Sequence, residues 1–357
     1  MRSMMRLCGW VAVGLLASAC GGGGASGGTP GAGGWAATTV KSGSSVRSIS
    51  IALDSAGKPH VAFIDHVTYQ VFYGSLVGGA WSVALVPGTV NADEEISLVL
   101  DAQDRPRLAY QCDTAGVAGG IRYAWSDGAA WHVEVVELTG VGARNPSLSL
   151  ALTSAGSPAI SFYGGDNFGM KYATRSGAGT WSITSSNPAR YAGFHGTSLV
   201  FDAADRPVVS FFDYDLRKLQ LARLIGATWS YETVDATPGA GEWSTLALDA
   251  AGRPHLAYLA VDGTVKYATK AAAWTIETVG TGYLTSLALA PDGTPWVAYG
   301  VAAMSWVRVT HRVAGAWSAA ETLPATSADW TMDLVVDGAG VPHLAYDAPA
   351  ASYATRR

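Results

Sequence analysis

Charge is scarce in this chain. Lys, Arg, Asp and Glu make up only 14% of its 357 residues, against about a quarter in an ordinary soluble domain. The formal charge is −5, and about −7 without Arg2 and Arg6 of the leader, so no basic face is on offer and no nucleic-acid partner is expected. Cysteine is scarce too. With Cys8 inside the leader and Cys20 at its end, Cys112 stands alone, so no intramolecular disulfide is available to the mature domain. A lone cysteine in that position reads as a small buried hydrophobe rather than a nucleophile. No long amphipathic helical pattern occurs. There is also no nucleophile elbow or phosphate loop, because the glycines after Cys20 precede no strand-turn-helix unit. No cofactor, metal or catalytic set is therefore assigned.

The N-terminus is composed differently from the rest. Two arginines, the apolar run Leu7 to Leu16 and the small residues Ala17-Ser18-Ala19 form a secretory signal too short to span a membrane. Leu16-Ala-Ser-Ala-Cys20 resembles a bacterial lipobox, which implies that Cys20 becomes the acylated first residue. Residues 1–19 are then the signal peptide. Residues 20–34 form a Gly-rich tether with a reach of roughly 20 Å, and residues 35–357 the folded domain. The expected place is the cell envelope, lipid-anchored at the outer membrane or cell surface, as a monomer.

What the chain has in abundance is glycine, 43 residues, and tryptophan, 13, arranged in a repeat. Its clearest copy runs from Ser244 to Val279: an alternating strand, the turn Asp249-Ala-Ala-Gly252, and three more strands opening at Pro254, Thr264 and Trp274. Tryptophans opening the fourth strand fall at Trp35, Trp81, Trp131, Trp181, Trp229, Trp274 and Trp317, spaced 43 to 50 residues apart. Prolines opening the second strand fall at Pro59, Pro106, Pro158, Pro207, Pro254, Pro295 and Pro342, an independent count of seven. The last copy lacks a fourth strand, and the missing piece lies at Trp35 to Val40. An all-β, seven-bladed β-propeller follows, with four antiparallel strands per blade and a ring closed by the N-terminal strand completing the last blade.

The pattern Ser-Leu-Ala-Leu-Asp-x-x-Gly-x-Pro-His-x-Ala-Tyr, followed by Tyr-Ala and Trp-x-x-Glu-x-Val, resembles repeats of bacterial secreted propellers loosely grouped with the sialidase-like superfamily. That broad group includes lectins, glycosidases, polysaccharide lyases and plain scaffolds, so the resemblance implies a fold more than an activity. The sialidase Asp-box joins the third and fourth strands, whereas Asp249-x-x-Gly252 joins the first and second and lacks the box's Trp. Sialidase catalytic residues therefore do not transfer. The turn aspartates Asp54, Asp101, Asp202, Asp249 and Asp337 are structural by position. His60, His255 and His343 share a position also held by Trp296 and Ala159, so they are not a metal set.

Variation marks the candidate site. Three residues before the leading Ser, Thr or Asp of each first strand stand Arg47, Glu94, Pro146, His195, Glu242, Tyr283 and Trp330, different in every blade. Asp93, Glu95, Arg144, Asn145, Arg190, Tyr191, Trp243 and Asp329 stand beside them, and the loops between second and third strands add Asp65, His66, Asp213 and Asp215. Aromatic faces with carboxylates and Arg suit a sugar ring and its hydroxyls, so one asymmetric central funnel binding a glycan or a protein partner is the leading expectation. The alternative is a glycan-degrading enzyme on the same face. A hydrolase would use carboxylates among Glu94, Glu95 and Glu242; a lyase would use His66, His195 or Tyr191 as base and Arg190 as cation.

Overall fold

The computed structural model describes residues 34–114, 117–138, 147–164, 169–177, 179–187, 192–301, 306–323, 331–348 and 350–357. Every described element is a β-strand, and the strands form seven antiparallel sheets around a ring. Numbering the blades along the chain, their inner strands are Val46–Leu53, Ala92–Leu100, Leu148–Leu152, Ala192–Phe201, Glu242–Leu248, Tyr283–Leu289 and Met332–Val336. Each second strand opens at its proline, as the repeat predicts. Cys20, the signal, the tether up to residue 33, and Arg144, Asn145, Pro146, Arg190, Tyr191, Asp329 and Trp330 lie outside the described residues.

The hairpin joining inner and second strands is built by its aspartate. Asp249 Oδ1 accepts the backbone N–H of Ala251 at 2.9 Å and of Arg253 at 2.8 Å, and Asp54, Asp101, Asp202 and Asp337 do the same in their blades. The turn needs one left-handed residue. Gly252 supplies it at φ 73°, and Asp104 and Asp205 at 58° and 55° where glycine is missing. Behind the turn, the repeated histidine is a staple within its blade: His343 Nδ1 meets the Tyr353 hydroxyl at 2.6 Å while Nε2 faces Asp337 at 3.4 Å. His60 and His255 have the same tyrosine and aspartate neighbours.

The core lies between blades rather than within them. Seven clusters of buried residues each draw on facing sheets, so Phe63, Phe162, Phe211 and Tyr346 are fully enclosed only because a neighbour covers them. Such a side chain contributes roughly 1.5–3 kcal/mol on burial. Polar staples at the outer strands fix the stacking. Glu134, on the outer strand of blade 2, accepts Arg175 of blade 3 at Nε and Nη2, 2.8 and 2.6 Å, and Trp181 Nε1 at 3.3 Å. Glu232 does this for Trp274 and Lys270, and Glu277 for Trp317 and Arg312. The spacing Trp-x-x-Glu thus joins blades: the Trp faces back to one neighbour and the Glu forward to the next. Trp81, Trp131, Trp181, Trp229 and Trp317 also sit edge-on to a tyrosine of the preceding blade, Trp181 to Tyr123 at 5.3 Å.

Blade 6 departs from the expected continuous fourth strand. Its outer strand is split into Ala316–Trp317 and Glu321–Thr322, and one extra residue separates Trp317 from the forward-facing glutamate. The break absorbs that residue, so Glu321 still reaches Trp35 Nε1 at 2.8 Å and Arg356 at 2.9 Å. Those partners belong to blade 7, which closes as predicted: the strand Trp35–Lys41 pairs with the final strand Ala350–Arg356, Trp35 opposite Arg356.

Glu134→Ala should destabilise the domain by about 1–3 kcal/mol in denaturant melts, since it strips Arg175 and Trp181 of their acceptor. The Arg175 guanidinium holds the Glu134 carboxyl below the ordinary value of 4.5. Its contribution is therefore complete above pH 4.5 and lost as pH falls through the lowered value, so the two proteins should converge in acid. An unchanged difference at low pH would assign the loss to packing instead.

Candidate functional site

Seven inner strands converge on the axis, and each is a sheet edge with backbone groups that no strand pairs. A side chain from the preceding blade supplies the partner. Ser50 Oγ accepts Leu98 N–H at 3.1 Å, Ser97 accepts Leu150 at 3.1 Å, Ser149 accepts Leu199 at 3.0 Å, and Ser198 accepts Leu246 at 3.1 Å. Ser286 accepts Leu334 at 2.9 Å. In blade 7 the serine is replaced by Asp333, whose Oδ2 takes Ile51 N–H at 2.9 Å and the Ser50 hydroxyl at 2.8 Å. The ring has one gap among the described residues: Thr245 Oγ1 in blade 5 is buried without a hydrogen-bond partner.

This tier floors a central cavity of about 210 Å³. The next tier toward the funnel mouth forms its wall, and there the blades differ: Glu95, Ser147, Gly196, Trp243, Leu284 and Thr331 all line it. Glu95 of blade 2 and Trp243 of blade 5 thus line one cavity together with the hydroxyls of the tier below. Gly196 is required by its neighbour. At φ 128°, a Cβ there would come within 3.0 Å of Trp243 Cα, so glycine lets the inner strand of blade 4 close against blade 5.

The cavity lies one tier below the ring read from the sequence, and bulges are the reason. Register slips between Val46 and Ser48, Ala92 and Ile96, Ala192 and Thr197, Glu242 and Thr245, and Tyr283 and Thr285. Each extra residue breaks strict alternation at the mouth and re-aims the side chains beside it. Glu94 at φ 72°, Trp243 at 54° and Leu284 at 51° adopt the left-handed conformation that such side chains rarely take.

The structure places the expected funnel residues in three groups. At the rim, Arg47 binds Asp93 at 3.3 Å and pairs with Glu94, tying blade 1 to blade 2. Across the ring, His195 packs against Trp243 at 5.8 Å and Tyr214 at 6.5 Å; burial lowers its pKa despite the opposing effect of Glu242, so its ring is neutral at pH 7. Tyr283 is 46% exposed at the same rim. The third group is taken up by its own loops. Asp65 is buried and caps Val67 and Thr68 N–H at 2.9 and 3.1 Å, Asp213 caps Leu216 at 2.9 Å, and His66 packs on Tyr69 with its N–H bound to Ser45 O. Trp330, Arg190 and Tyr191 fall outside the described residues.

Two carboxyls inside the cavity carry perturbed chemistry. Both are partly buried, and both line the cavity. Burial, then the Glu94 charge and more weakly Asp333, pushes Glu95 up to about 8, with Arg47 working against the shift. Burial also raises Asp333, although Ile51, Ser50 and Ser286 all donate to it. Asp333 was legible only as an exception: Asp where the other blades carry Ser or Thr.

No protein-family model matches this chain, and no curated protein matches it. Solved structures do. The lectin BP39L from Burkholderia pseudomallei superposes with a TM-score of 0.59 at 15% identity, over 87% of this chain and 98% of that one. The WD40 propeller domain of Doa1 gives 0.58 at 13% identity, over 90% and 95%. The Aleuria aurantia lectin, solved with Fucα1-6GlcNAc, gives 0.53 at 14% identity, over 78% and 95%. At these identities the likeness is one of fold.

Asp333→Asn should raise the melting temperature at pH 7. The amide keeps an acceptor for Ile51 N–H and removes a buried charge. A carboxyl raised in the folded state favours folding most below its ordinary value of 3.8 and loses that advantage as pH rises through the raised value. The gain from Asn should therefore disappear below about pH 4; a lower melting temperature at pH 7 would show that the charge itself holds the ring.

Proposed function

We propose that this propeller is a carbohydrate-binding module whose site is the central cavity, held at the outside of the cell envelope by lipid on Cys20. The observation that carries the reading is the wall of that cavity: Trp243, on a left-handed bulge, shares about 210 Å³ with Glu95, Asp333 and a floor of serine hydroxyls. An indole face covers the apolar side of a sugar ring, and carboxyl and hydroxyl groups meet its hydroxyls. The fold neighbours solved as lectins support the same reading. The hydrolase alternative gains nothing from the geometry: Glu94 is paired with Arg47, and Glu242, three blades from Glu94, stands beside His195 of the adjoining blade.

A printed glycan panel should yield binders, and calorimetry should find Trp243→Ala weaker by about 1–2 kcal/mol through lost stacking. Arg253→Ala, on the hairpin face and 58% exposed, should bind as the parent does. Equal losses in both variants, or none in either, would remove the cavity as the site. Cys20→Ser should move the protein from the membrane to the soluble fraction; retention on membranes would count against the lipid.

A further inference from the structure

Glu95 has no structural employment. The other blades place Ser48, Ser147, Gly196, Trp243, Leu284 and Thr331 at its level, so packing does not call for a carboxyl there. Among the described residues it has no hydrogen-bond partner, whereas Asp333 one tier below accepts Ser50 and Ile51. The nearby cation, Arg47, is already engaged by Asp93 and Glu94. Three carboxyls, Asp93, Glu94 and Glu95, thus share one guanidinium, and Glu95 lines the cavity with Asp333. On the opposite side Trp243 lines the cavity beside Ser244, Thr245 and Thr285. An unpartnered acid that shares a hydroxyl-lined cavity with a tryptophan suits a ligand with a flat apolar face and a cationic substituent.

Resting on the glycan reading, we propose that the cavity selects a saccharide bearing a free protonated amine, its ring against Trp243 and its ammonium between Glu95 and Asp333. An N-acetylated or neutral counterpart offers the Glu95 carboxylate no ammonium. Because Glu95 is held up to about 8, its carboxyl carries a proton at pH 7. Ammonium binding needs the carboxylate, so that proton passes to the buffer as the ion pair forms. The charged neighbours are Glu94 on the same strand, Arg47 from blade 1 and Asp333 from blade 7; His195 and Glu242, paired at the rim of blades 4 and 5, are not among the residues lining the cavity. Affinity for the amine should fall as pH drops below about 8, because more of the Glu95 carboxyl must then be deprotonated.

Calorimetry of the mature domain with a β-1,4-linked glucosamine tetramer and with its N-acetylated form tests this. At pH 7 the amino form should bind about tenfold tighter or better, a charge-assisted bond gained. Repeating the titration in buffers of different ionisation enthalpy should report net proton release, up to one per site and less by the share of the free amine that is unprotonated at that pH. Glu95→Gln should abolish both the discrimination and the proton release while leaving the melting temperature no lower. Equal binding of the two forms by the parent, or discrimination kept by Glu95→Gln, overturns the proposal. If other, uncharged glycans bind at Trp243, the glycan reading survives that failure; if no saccharide of either kind binds, both fall.

Discussion

Seven edge strands meeting at one axis create a polar problem that the whole ring depends on solving. A sheet edge exposes N–H and C=O groups, and at the centre of a propeller neither a further strand nor free bulk water can satisfy all of them. Here the hydroxyl of Ser50, Ser97, Ser149, Ser198 or Ser286 reaches across to the N–H of the next blade's inner strand. A single backbone bond net contributes about 1 kcal/mol, but an orphaned buried donor costs more than that, so the serine is close to obligatory wherever the channel is dry. The outer staples from glutamate to tryptophan repeat the same logic at the far end of each blade.

The fold was legible because its markers are covalent and rigid. Proline opens each second strand, and tryptophan opens the fourth strand of each blade, even where blade 6 splits it; the strand at Trp35 announced the closure. The site was legible only to within one residue. Blade-to-blade variability three residues before the leading Ser, Thr or Asp assigned Arg47, Glu94 and Glu242 to the funnel, whereas the cavity is lined by the residues two before it, Glu95 and Trp243, beside bulges in their strands. Nothing in a single sequence distinguishes Asp65 and Asp213 as turn caps from Asp65 and Asp213 as ligands, since the deciding fact is which backbone N–H groups lie beside them.

Departures from the ring's own rule gather around the cavity. Asp333 replaces a serine, Thr245 leaves its hydroxyl unpaired, Glu95 carries a carboxyl where neighbours carry hydroxyl, glycine or apolar groups, and Trp243 and Leu284 hold left-handed backbone. Each lowers stability relative to a serine on a regular strand. The packing between blades is extensive enough to tolerate them, which is how a repetitive scaffold comes to hold one non-repetitive chamber.

The chain enters the ring at Gly34, whose carbonyl accepts Arg357 N–H beside the last residue of the final strand. That junction lies at the end where third and fourth strands turn, opposite the end where the inner strands begin. The molecule therefore has two poles: the chain enters at one, and the inner strands begin at the other, on the mouth side of the chamber. Whatever reaches the mouth need not pass the chain's point of entry.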